Sequence, residues 1–373
     1  MLTSKRTLNK PTRYQLGEPR SWALLSSYSL PLRPWQVSQT PRYRTSADVP
    51  LQISYTFGRL IPTLLMVESP EAIVFEPITT SDPDAPLGNN NKAVEPELLL
   101  VKPQPITASF RTTIKHLQSK GGFRARFRGA SAFVVYNILI QWISQMFSIF
   151  IPFLFAPIIA VTLCATLSLA WTHIVISDPS PKPWFRRVPS IKTWKKVAGP
   201  TAILAVAEQF AIVLPAYLAT TSGFVGSPDD FANTTNSQRN IMALKGFGVL
   251  ALSIALSLLV VIPADVTLTR VQASLLPDDV ETIIPFDRSF GGKVIPEIVG
   301  GSGVIGMLDA WNTFDWNSRV RLVKAYLKVM AMQLALTILF FVVMGGQIAL
   351  IIGKDFKKIF PGDGKDGEAV VFN

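Results

Sequence analysis

The chain is poor in the residues that most catalytic centres need. One of its 373 residues is cysteine, Cys164, and two are histidine, His116 and His173. A single cysteine excludes a disulfide framework or a cysteine-built zinc site within the chain. Two histidines exclude a histidine-rich catalytic or metal centre. Charge is scarce too: 16% of residues are Asp, Glu, Lys or Arg, against about a quarter in soluble domains. With a mean hydropathy of +0.33, that shortage points to a membrane protein. The net charge is +11. A soluble protein this basic would suit nucleic acid. Here the cations lie beside long apolar runs, as they do at the ends of membrane spans, so a lipid bilayer and not nucleic acid is the expected partner. No Ser/His/Asp or paired-carboxylate arrangement is visible, so no enzyme and no cofactor is expected.

What the chain does have is apolar length. Five stretches, near 131–150, 153–176, 200–220, 242–263 and 322–346, each run to about 20 residues. That is enough to cross a hydrocarbon core of about 30 Å at about 1.5 Å per residue. Backbone groups in lipid must be satisfied within the segment, so helices are predicted. Pro152 and Pro157 fall between the first two stretches and predict a tight hairpin there. Residues 51–75 are apolar in part, but Arg59, Pro62, Glu68 and Glu71 interrupt them. They read as a degenerate span, leaving five to six transmembrane helices in all.

Residues 1–50 are basic, with Glu18 the only acid before Asp48. That resembles a mitochondrial transit segment, although a basic disordered tail has the same composition. The division predicted is a largely disordered region over 1–110, a membrane domain over 111–353 and a polar tail over 354–373. The loops 111–130 and 177–199 are strongly basic and two spans apart, so they share a side. The 1–110 region offers a surface for a protein partner.

The stretch "PADVTLTRVQ" sets Pro263 before Asp265, Arg270 and Gln272. Proline removes a donor and strains the preceding turn, which predicts a kink. A charge pair at a span end, close to water, is suited to linking helices and to opening when a ligand competes. Earlier, "KGGFRARFRGA" has Gly122, then four residues, then Phe127, Arg128 and Gly129, directly ahead of an apolar span.

These two stretches resemble the signature of the mitochondrial carrier family, in a divergent form of the kind found in fungi. The resemblance covers about two-thirds of the chain. It departs from the family at Leu268, where a basic residue is usual, and at Leu308, Asp309 and Ala310, although Gly303 keeps register. It implies an all-α pseudo-threefold bundle, with Asp265 and Arg270 in a gate, in a mitochondrial membrane. It further implies alternating-access transport of a small polar or charged metabolite. The alternative is a carrier-derived membrane adaptor or assembly factor that does not transport.

Polar residues inside spans are expensive in lipid and usually face a cavity or a partner. Glu208, the four-residue stripe Asn137, Gln141 and Gln145, and Gln333 are therefore candidates for a solute path. Interhelical hydrogen bonding is the other reading for each. "GSGVIG" at 301–306 has the letters of a dinucleotide fingerprint without the strand or the later acid. "GKD" at 353–355 lacks most of a phosphate loop. Asn233 begins "NTT", a glycosylation acceptor only in a secretory lumen.

Overall fold

The computed structural model describes residues 52–69, 104–223 and 235–352. Asn233 and the 353–355 stretch lie outside them. The described residues are mostly helical. No strand forms among them, and one isolated antiparallel bridge pairs Ser177 with Thr282.

The first helix corrects the sequence reading. A π-helical stretch, Gln52–Leu60, runs directly into α1, Ile61–Val67. Every residue of α1 is buried, and Leu60, Ile61 and Leu64 are fully so. The interrupted segment is therefore the most enclosed helix of the bundle. Pro62 sits where the π-helical stretch meets α1, and the wider turn before it accommodates its ring and missing donor. Glu68 falls just past the helix end.

The chain returns at residue 104. Helix α2, Phe110–Gly121, starts at a capping box in which Ser109 and Thr112 satisfy each other's backbone amides. It ends at Gly122, whose φ of +66° favours glycine. Helix α3, Ala130–Ser148, begins at Gly129, with φ +73°. The Pro152 region turns the chain, as expected, into α4, Ala156–Leu163, which packs on α3. After a 56° bend at Cys164 comes α5, Ala165–Ile176. Helix α6, Trp194–Thr221, carries Pro200 and Pro215 without breaking.

Helix α7, Asn236–Leu256, opens on a second capping box, from Thr235 and Gln238. It continues through a π-helical stretch, Ser257–Val261, into α8, Ile262–Ser274. The kink predicted at Pro263 takes this form: the turn before the proline widens, which accommodates its ring and missing donor. Short α9, Met307–Asn312, precedes α10, Trp316–Ile352.

Four helical segments have the length and apolar composition to cross a membrane, and the bent α4–α5 pair makes a fifth. Their outer faces are apolar and exposed, with Trp142, Phe150, Leu250, Phe340 and Leu350 all more than half accessible. Soluble proteins rarely expose so much contiguous apolar surface. The chain is a multispan helical membrane protein.

Helix α3 packs on α4, α4 on α6, α6 on α7 and α8, and α10 returns to pack on α1. The ends of α1, α5 and α8 meet one another. There the main core forms, with Leu64, Leu169, Val271, Ile284 and Ile305 buried together. The basic loops lie at this same end. Lys120 reaches Asp178 at 3.4 Å, the Asp178 amide donates to Glu281 O at 2.8 Å, and Lys196 pairs with Glu297. The predicted common side of the loops is thus what the structure has.

The Phe127–Arg128–Gly129 motif ties three helices at this end. The Tyr55 hydroxyl donates to Arg128 O, the Trp171 indole donates to the Tyr55 hydroxyl at 3.0 Å, and Arg128 Nε donates to Ile174 O. A Cβ on Gly129 would lie 3.2 Å from the Trp171 ring and 3.3 Å from both Ile174 and the Tyr55 hydroxyl. Gly129→Ala is expected to destabilise the fold by about 1–2 kcal/mol from the left-handed backbone alone, read as a lower unfolding midpoint in detergent. Gly129→Asn, which tolerates that backbone better, tests whether crowding adds to it.

Candidate functional site

Above the core end lies a cavity of about 1000 Å³. Five stretches of helix line it. The first helix gives Ser54, Gly58 and Arg59; α3 gives Ser131, Phe133 and Val134. Glu208 comes from α6, and Asp265 from α8 behind Ser253, Ser257 and Val261; α10 gives Tyr326, Met330 and Gln333. Most of the wall is apolar. Among the described lining residues, the charges are Arg59, Glu208 and Asp265.

The helix geometry explains how these meet. Gly58 and Arg59 lie one turn before the buried α1, so Arg59 emerges where the core ends. Its guanidinium is enclosed by protein yet reaches the solvent of the cavity. It interacts electrostatically with Asp265 first, then with Tyr326 and Glu208. Asp265 is half-buried and accepts a hydrogen bond from the Tyr326 hydroxyl at 3.0 Å. Glu208 is half-buried on α6, the helix that packs beside α8.

Comparison with protein-family models, with curated proteins and with solved structures finds no match for this chain. The site therefore rests on its own residues.

The structure separates the pair Asp265 and Arg270. Five residues of helix turn the chain by about 500°, leaving the two side chains about 140° apart around the axis. Asp265 faces the cavity, while Arg270 points into the core end and is 6% exposed. Arg270 Nη1 donates to Met66 O at 3.1 Å, and Nη2 donates to Thr313 Oγ1 at 2.9 Å. Its guanidinium lies 4.6 Å from the centre of the Phe290 ring and 5.5 Å from that of Phe314. Gln272, one turn away from Leu268, is buried between α8 and α5. Its amide donates to Ser168 Oγ at 3.0 Å, its carbonyl accepts from the Thr172 hydroxyl at 2.5 Å, and its backbone carbonyl accepts from the His173 ring at 2.8 Å.

A loop completes this floor. Phe290 has a φ of +49°, a left-handed conformation costly for a bulky residue. Asp287 holds it there, accepting from the Ser289 amide at 2.8 Å and the Gly291 amide at 2.7 Å. Partial burial alone would raise the Asp287 carboxyl. The bonds from Gly291 and Ser289, with the nearby Arg270, outweigh that and hold it below its ordinary value.

Of the other predicted residues, Glu208 and Gln333 line the cavity. Asn137, Gln141 and Gln145 are exposed and are not part of its lining. Asn137 spends its amide on its own helix, donating to Phe133 O at 2.8 Å. Gly122, Arg128 and Gly129 shape the helix junction below, and Pro263 shapes α8. Gly303 lies in a loop, with Glu297 beside it, and the 301–306 stretch has no strand before it and only the six-residue α9 after it. His173 serves the Gln272 network. The sequence reading missed Arg59, which it counted only as an interruption, and Tyr326, which carries no motif.

Proposed function

We propose that this protein moves a small polar or charged solute across a membrane by alternating access, as a divergent carrier. One observation carries the reading: a guanidinium and two carboxylates from three helices converge, accessible to solvent, in an otherwise uncharged and mostly apolar cavity of a bundle whose loop-side end is filled. Charges buried this way are expensive unless they are matched, and a bound solute would match them. The chain order of helices, with α1, α5 and α8 meeting at one end, supports a carrier-like arrangement built from three related pairs. The basic first fifty residues support a mitochondrial membrane, and fusion of residues 1–50 to a fluorescent reporter tests that location.

The experiment is reconstitution of the full chain in liposomes and uptake of a broad panel of labelled metabolites. At least one solute should exchange, and Arg59→Gln should reduce its uptake about tenfold or more, the scale of one lost charged contact. Failure of every metabolite to cross, with protein shown folded in the liposomes, would sink the proposal.

A second reading is a carrier-derived adaptor that no longer transports. It is favoured by Arg270, which is locked on Met66 O and Thr313 instead of on a carboxylate, so the loop-side closure resembles a permanent core. Asp265→Asn separates the two: cellular function survives it in an adaptor and is lost in a carrier.

A further inference from the structure

We infer that the solute is a basic amino acid: one carboxylate and two cationic groups, net charge +1. This rests on the cavity being a solute site. The reasoning is charge matching. A cation brought against each carboxylate favours its ionised form; Glu208 and Asp265 then outweigh Arg59 by one negative charge, and the rest of the described lining is neutral. In apolar surroundings a complex that leaves a charge unmatched is penalised by its desolvation. A ligand that neutralises all three groups therefore carries one anion and two cations.

Each group is free to take its part. Among the described residues, Arg59 forms no ion pair, although it lines the same cavity as Asp265 and Glu208. Its fork is available for a carboxylate, the geometry it matches in a bidentate manner. The Tyr326 hydroxyl fixes one oxygen of Asp265 at 3.0 Å. The other oxygen keeps lone pairs for an ammonium, which donates in three directions. Glu208, from α6, supplies the second cation site. Phe133, Leu258 and Val261 line the wall, an apolar surface suited to the methylenes that join the two cations of such a molecule.

The competing classes each leave a fault. A dicarboxylate or a nucleotide adds at least two negative charges beside two carboxylates. A neutral amino acid leaves one carboxylate unmatched. A diamine leaves Arg59 facing two new cations with no anion of its own.

The test is binding to the full-length purified protein in detergent, by calorimetry and thermal shift, with lysine, leucine, 1,5-diaminopentane, malate and ATP. Lysine should bind at least tenfold more tightly than leucine or the diamine, and malate and ATP should give no shift. Arg59→Gln should bring the diamine level with lysine or above it. Glu208→Gln should do the same for leucine. A purely structural role for either residue would weaken all ligands together and produce neither exchange of preference. If Arg59→Gln does not fold, Arg59→Lys, which keeps the charge and loses the fork, should weaken lysine while still rejecting the diamine. Leucine or the diamine equalling lysine on the wild-type protein, or malate or ATP binding best, overturns the basic amino acid and leaves the cavity a solute site. Absence of binding by all five, on protein that melts cooperatively, overturns both.

Discussion

Replacing Glu68 with alanine is expected to destabilise the bundle by about 3–5 kcal/mol. The carboxylate is 2% exposed. It caps the short turn Ile106–Ala108, accepting from the Ile106 amide at 2.6 Å and from the Thr107 amide and hydroxyl. It also lies 3.6 Å from Arg321 Nη1 on α10. One side chain thus joins the end of α1, the returning chain and the last helix. Alanine leaves a largely buried guanidinium without its counter-charge and two buried donors without an acceptor. Glu68→Gln keeps an acceptor for the amides and loses only the ion pair, so it should cost less than half as much. Chemical unfolding in detergent measures both. Equal losses for the two variants would show that the charge of Glu68 is the whole of its contribution and would refute the capping account.

The second large effect is at Arg270. Alanine there should lose about 3 kcal/mol, from two charged hydrogen bonds and two ring contacts, less what relaxation recovers. Arg270→Lys reaches one of its two oxygen partners and cannot present the planar fork, so it should fall between alanine and wild type. The same substitutions test the separation of Arg270 from Asp265. Asp265→Asn should leave the unfolding free energy within about 1 kcal/mol, because its hydrogen bond is to the neutral Tyr326 hydroxyl, Arg59 is not ion-paired with it, and its carboxylate is open to the cavity. If Asp265→Asn and Arg270→Ala were equally destabilising and not additive in the double variant, the two would be coupled as one gate after all.

The two charges were adjacent in the motif and apart in space because a motif records order along the chain and not rotation about a helix. The converse holds at Arg59. In sequence it breaks an apolar run. In the bundle it is the cation facing Asp265 and Glu208, which come from positions 208 and 265 of the chain. No local window joins those numbers. The Asn137–Gln141–Gln145 stripe shows the same limit, since a shared helix face says nothing about which neighbour covers it. Glu208 was legible because an ionised group in the middle of an apolar run needs an explanation wherever the helix sits.

The amino-acid order by itself determined where the long apolar helices lie, the turn at Pro152, the apolar helix that starts after Gly129 and the common side of the basic loops. All of these follow from sums or spacings over a few neighbouring residues. Only the tertiary structure decided that the broken stretch at 52–67 is the innermost helix, that Asp265 and Arg270 face different surroundings, and that three charges meet in one cavity. The reason is that burial of a helix face and the pairing of a charge depend on which distant segments pack against it, and that choice is made by the whole bundle at once.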